Sequence, residues 1–273
     1  MSAAPAGRAP DTGGIRLSDL VRAELTKICT LPATWAALAL ALTGHTLVGL
    51  LAASDAVHVA GPDGQTPIAR LGVVLLAPVY ALVAVPVLAA GGEYRGGQIR
   101  VSLLAVPDRN RFFLSKLLAI LAVLAVAALP VMLPGHLLRH ALGDTGAGVG
   151  EAVGGALAEA AACLPLGLVA YGFAVLARTV VVPLAVLVVL PVLVSPMLRG
   201  LSPGVVRLLP HEAMLSLLGL PEGPDVALDR PGALLVVATW AAVLVGAAWT
   251  VTVRRNGQRA RGRGRPSSTG RVR

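Results

Sequence analysis

Charge is scarce in this sequence, and that scarcity excludes most water-soluble folds. Only 14% of its 273 residues are Asp, Glu, Lys or Arg, while 56% are hydrophobic; a soluble domain carries about 25% charged residues. Aromatic residues make up only 3%, and lysine occurs only as Lys27 and Lys116. The two cysteines, Cys29 and Cys163, fall on different parts of the chain, which speaks against a disulfide. No spacing typical of metal ligands is present, so no metal site is expected. A phosphate-cradling loop ending in Gly-Lys-Ser/Thr is also missing: Lys27 follows Thr26, and Lys116 follows Ser115. The chain is therefore not expected to be an ATPase, and no catalytic residues are assigned. A long polar lead before the first apolar run argues against a cleavable secretory signal.

What is abundant is Ala, Leu and Val in long runs. The mean hydropathy is +0.78, and a bilayer core of roughly 30 Å needs about 20 apolar residues in a helix. Six runs meet that length, at 33–53, 70–92, 113–138, 152–177, 180–198 and 231–253. The expected fold is an all-α integral membrane protein with six transmembrane helices. Only Arg178 and Thr179 part the fourth and fifth runs, which predicts a tight helical hairpin.

Residues 1–16 are expected to be disordered, residues 17–253 to form the membrane domain, and 254–273 a basic, disordered tail. Leu17, Leu20, Val21, Leu25 and Ile28 recur at three- and four-residue steps, which predicts an amphipathic helix over 17–30 with Ser18 as N-cap. Its place before the first span suits a helix lying along the membrane surface. The stretch 205–220 is interrupted by Pro210 and predicts one or two short helices on the surface.

Basic residues decide orientation. Eighteen of the 23 lie before the first run, in the segment 95–116 that leads from the second run into the start of the third, between the fourth and fifth, or after the sixth. The positive-inside rule puts those segments, and both termini, in the cytoplasm. A bacterial inner or plasma membrane is the expected location, a source suggested by the Ala-, Gly- and Arg-rich composition. The tail's nearest partners are anionic membrane lipids, and no nucleic acid is expected.

Few polar groups enter the runs, and no cluster of them at one depth is apparent. His45 lies in the first run, where a backbone carbonyl suffices to satisfy it. Glu159 is the most deeply placed acid and is expected at the outer interface. Both are candidates for a translocation path, because ionisable groups inside spans often mark one. His136 and His140 stand four apart without a neighbouring carboxylate, which fits an interfacial pair better than a ligand pair. The eight prolines in spans two to five bend helices. Bending suits a transporter, and ordinary tolerance of proline in spans accounts for them equally well.

The most patterned segment is 91–116, GGEYRGGQIRVSLLAVPDRNRFFLSK. Ile99, Leu103 and Val106 share one helical face, and Pro107 ends that helix. A short amphipathic helix held between two spans has the form of a docking element.

Here the chain resembles the permease subunits of ATP-binding cassette exporters of the type 2 class. The matching residues are Glu24, Leu25 and Lys27 in the first helix. In the loop they are Glu93, Tyr94, Gly97, Leu103, Leu104, Pro107, Arg109 and Lys116. Leu209 and Pro210 match in the loop before the last span, and Gln98 stands where the family commonly has threonine. The resemblance spans roughly residues 17–253 and implies a coupling helix between spans two and three that seats on a separate ATPase subunit. On that reading Arg95 and Arg100 belong to the same docking surface as the matching residues of the first helix and the loop. It further implies ATP and Mg bound by the partner and none by this chain, and a second permease copy or close homologue. The expected function is outward transport driven by that partner. The alternatives are a proton-coupled secondary transporter working alone, and a membrane anchor for a regulatory partner.

Overall fold

The computed structural model describes residues 15–54, 56–61, 64–106, 108–143 and 148–263. Helix α1 (Leu17–Thr30) passes through Leu31 into α2 (Pro32–Ser54). A two-stranded antiparallel hairpin follows, β1 (His58–Gly61) against β2 (Gly64–Pro67), with His58 opposite Pro67. Then come α3 (Gly72–Gly91), a 3-10 segment Gly92–Gly97, α4 (Gln98–Ala105), α5 (Arg109–Leu142) and α6 (Val149–Ala177). Span five is built from α7 (Val181–Val189), a π turn at Leu190–Val194 around Pro191, and α8 (Ser195–Arg199). Two short helices, α9 (Pro203–Val206) and α10 (Pro210–Leu217), precede α11 (Arg230–Arg263).

Six segments are long and apolar enough to cross a membrane: Pro32–Ser54, Gly72–Arg95, Arg109–Leu142, Val149–Ala177, Val181–Arg199 and Arg230–Val253. The fold is that of an all-α, six-span membrane protein. Backbone groups in lipid must be satisfied within their own helix, so a continuous apolar run of this length has few other structures open to it. The spans are not equivalent. In α3 and α6, 56% and 61% of the apolar window is buried, against 17% in α2, span five and α11, so α3 and α6 form the centre. Leu76, Leu82, Ile120, Leu124, Leu166 and Tyr171 fill the core between α3, α5 and α6.

Contacts between helix ends define two faces. Lys27 meets Glu93, the Tyr94 hydroxyl donates to the Val175 carbonyl, and Arg109 donates to the Thr252 carbonyl. These place α1, the 92–109 segment, the α6–α7 turn and the end of the last span on one side, here termed the basic face. In that turn Arg178 adopts the left-handed conformation (φ 55°) and its amide bonds to the Ala174 carbonyl, a helix-terminating geometry that completes the expected hairpin.

Three expectations need correction. The N-cap of α1 is Arg16, with no side-chain cap bond, and Ser18 lies within the first turn. Helix α10 is not a surface helix. His211 through Ser216 are all buried, and α10 packs mainly against α11. A polar clamp holds it there. Arg199 reaches Glu212 and Glu222 at 2.6 Å each, Ser195 donates to Glu212, and Glu222 accepts from the Val73 amide at 2.7 Å. A buried carboxylate needs such partners, and the sequence pattern does not show them. Finally, α11 runs to Arg263, well past residue 254, because Arg, Gln and Ala favour the helix. Residues 264–273 and 1–14 lie outside the described residues.

Candidate functional site

The basic face is organised by four charged side chains from three elements. Lys116, on the first turns of α5, is only 4% exposed, and its Nζ stands 2.5 Å from Glu24 of α1 and 2.8 Å from Glu93 of the 3-10 segment. Lys27 closes the group, 2.5 Å from Glu24 and 3.4 Å from Glu93. Glu24 falls on the buried stripe of α1 with Leu20 and Ile28. Its position is therefore not solvent-facing. Two carboxylates facing two ammoniums balance the charge, which makes burial of the group tolerable.

This network has a pH signature. Burial opposes ionisation of Glu24, but the Lys116 and Lys27 ammoniums outweigh it and hold its pKa below the ordinary 4.5. Burial also opposes the charge on Lys27, but Glu24 and Glu93 outweigh it and hold its pKa above the ordinary 10.5. Glu24 thus contributes stability above its unfolded value that is lost as pH falls through its folded one. Lys27 contributes below its unfolded value, and loses that contribution as pH rises through its folded one. The docking of α1 should hold between the ordinary values of 4.5 and 10.5 and loosen only beyond them. Cys29 is free and exposed at the end of α1, so a spin label there reports the event. Its spectrum should sharpen as pH falls below the ordinary carboxylate value of 4.5, and a spectrum that stays unchanged until the whole chain unfolds in acid would refute the assignment.

On this mount stands α4. Gly97 precedes it in the left-handed region (φ 76°), which lets the chain turn out of the 3-10 segment. Among the described residues, helix α4 packs mainly on that segment. Val101 and Leu104 are 69% and 82% exposed. The expected apolar face was Ile99, Leu103 and Val106. Ile99 and Val106 are instead half-buried, and the exposed apolar pair is Val101 and Leu104. Asp108 then caps α5, accepting from the Asn110 and Arg111 amides.

The other expected docking residues divide. Glu24, Glu93 and Lys116 are internal ties with almost no exposed surface. Lys27 is half-exposed, Arg95 is exposed, and Tyr94 and Arg109 are spent on the carbonyl contacts above. Arg100 and Leu103 lie within α4, but their side chains, like Pro107, fall outside the described residues.

Away from the basic face, three helices bring together residues the sequence leaves far apart. The Oε2 atom of Glu159 is 3.2 Å from His45 Nε2 and 2.7 Å from His136 Nε2. Glu159 lies about 15 Å along α6 from its first residue, and its side chain is 10% exposed, so it is buried between helices. His45 Nε2 is partnered by this carboxylate and not by a backbone carbonyl, while its Nδ1 is buried without a hydrogen bond. His136 pairs across helices with His45, the rings stacked 5.5 Å apart, rather than along its helix with His140. The expectation that no polar cluster shares one depth is thus overturned. Three glycines make room. A Cβ on Gly135 would sit 2.3 Å from His45 Nδ1, one on Gly49 would sit 2.4 Å from the Gly135 carbonyl oxygen, and one on Gly155 would sit 3.0 Å from the His136 ring. The cluster opens on a cavity of about 300 Å³ that is also lined by Arg139, His140 and Glu151.

No protein-family model matches this sequence, and no curated protein matches it either.

Proposed function

We propose that this chain is the membrane-spanning permease subunit of an ATP-binding cassette exporter of the type 2 class, driven by a separate ATPase subunit that binds ATP and Mg. The observation that carries the reading is α4. It is a short helix between spans two and three with Val101 and Leu104 turned to solvent. Exposed apolar side chains on a small projecting element fit a protein partner better than water. Its attachment supports the same role. The 3-10 segment under α4 is tied through Glu93 to α1 and α5, so a push on α4 reaches spans one to three together. The excess of basic residues in these segments supports a cytoplasmic position for this face, where an ATPase would be. A second permease copy or close homologue completes the assembly.

Co-purification with an ATPase encoded beside this chain is the direct test. Val101→Asp with Leu104→Asp should abolish the complex and leave a monodisperse membrane protein, because neither side chain packs in the core. Retention of the ATPase by that variant would sink the docking assignment.

The His45–His136–Glu159 cluster favours one second reading, a proton-coupled transporter, since such a relay needs embedded acids and histidines. Transport that continues without the ATPase and collapses with the proton gradient would select it. An anchor for a regulatory partner would keep the docking and show no substrate-dependent efflux.

A further inference from the structure

We propose that His45, His136 and Glu159 form a binding site for a divalent transition-metal ion of the zinc class, inside the membrane bundle and independent of any ATPase partner. The donor atoms of the three side chains all lie within 4.8 Å of one another. Two imidazole nitrogens and one carboxylate oxygen form a donor set suited to zinc, which binds them at about 2.0–2.2 Å. Ligands around a tetrahedral ion at that range stand about 3.4 Å apart, and the two contacts to Glu159 Oε2 are 3.2 and 2.7 Å. Small outward shifts of the side chains therefore admit the ion.

The surroundings fit as well. The three come from α2, α5 and α6, so the ion would be held by rigid helices rather than a loop. The three side chains are at most a tenth exposed. Glycines at 135 and 155 leave the space the two rings occupy. The cavity beside them leaves a fourth coordination position open to water or a substrate group, as in zinc sites that do more than hold structure. His140 lines that cavity, and its Nδ1 is buried without a hydrogen bond, but it stands outside the group of three donors. One group opposes the ion. Arg139 Nη2 stands 3.4 Å from His136 Nδ1, and a metal on Nε2 puts the ring proton on Nδ1. That arginine is half-buried on a flexible stem and must swing into the cavity when metal binds.

The test uses the purified full-length chain in detergent with Co²⁺ as the probe. Expected are one cobalt per chain, a visible ligand-field spectrum of a four- or five-coordinate ion, and displacement by Zn²⁺. His45→Ala and His136→Ala should each weaken binding at least 100-fold. Glu159→Gln keeps a hydrogen-bond acceptor for both rings and so protects the fold. It should still weaken cobalt binding more than 10-fold, because an amide oxygen is a poor ligand. Zn²⁺ should raise the melting temperature of the wild type and leave that of Glu159→Gln unmoved. Absence of stoichiometric cobalt binding at micromolar metal overturns the proposal, since the triad is then a hydrogen-bonded packing device. So does binding that survives in a folded His45→Ala/His136→Ala protein, which would place the metal on other histidines. None of these outcomes bears on the docking of an ATPase at α4.

Discussion

Gly135→Val should unfold the middle of this bundle, and Gly135→Ala should weaken it substantially. Helices α2 and α5 cross there at backbone contact. A Cβ at residue 135 would lie 2.3 Å from His45 Nδ1 and 2.5 Å from the His45 carbonyl oxygen. A side-chain clash can be relieved by rotation, but a clash with a backbone oxygen requires the helices to part. Overpacking costs about 1–3 kcal/mol, and the gain in helix propensity from Gly to Ala returns at most about 1 kcal/mol. With the overpacking cost at its upper end, the net loss for alanine should be about 2 kcal/mol, and valine should exceed it. Close approach through small residues is how membrane helices gain packing where no hydrophobic drive between them exists. Gly154 is the matched control. It sits in α6 with nothing within 4 Å of its Cβ position, so Gly154→Ala should be neutral or slightly stabilising. Thermal unfolding in detergent measures both. Maleimide labelling of Cys163, buried one turn beyond Glu159, adds a local reading and should accelerate only in the Gly135 variants. Equal melting temperatures for Gly135→Ala and Gly154→Ala would show that the crossing is looser than drawn.

Lys116→Met should cost about as much by a different route. The ammonium is the nearest partner of two buried carboxylates, at 2.5 Å and 2.8 Å. Methionine fills similar volume but leaves Glu24 and Glu93 facing one another with only the half-exposed Lys27 between them. Removing one member of a buried ion network typically costs about 3–5 kcal/mol, mostly as the penalty for the charge left behind. The loss should therefore be recovered by removing that charge. Adding Glu24→Gln and Glu93→Gln to Lys116→Met should restore most of the melting temperature. A triple variant no more stable than Lys116→Met would mean that packing, not charge, holds α1 in place.

The network also changes the meaning of the matched residues on the basic face. Glu24, Glu93 and Lys116 stand out in the sequence because charges are rare near spans, and that rarity invites a surface role. Their burial assigns them instead to the frame beneath α4. Exposure falls to Val101 and Leu104, of which only Leu104 was among the expected contacts.

Spans were legible because their cause is local. A helix in lipid must satisfy its own backbone, so about 20 apolar residues in a row specify a span without reference to any neighbour. The tight α6–α7 turn, the helix over 17–30 and the short helix after span two follow from equally local patterns. Arg178 and Thr179 leave no room for a longer connection, and hydrophobic spacing marks both amphipathic helices.

Which charges meet is not a local property. Lys116 and Glu24 are separated by 92 positions, and His45 and Glu159 by 114. Nothing in the spacing of either pair marks it, since its two members lie in different helices. His136 shows the difference most clearly. In sequence its visible partner is His140, one turn away, but in space it faces His45 and Glu159. The amino-acid order by itself determined six helices, the basic segments that bias their orientation and the projecting α4. Only the packing of α2, α5 and α6 decided that His45, His136 and Glu159 share a cavity, because glycines at the crossings let those helices approach until these polar groups met.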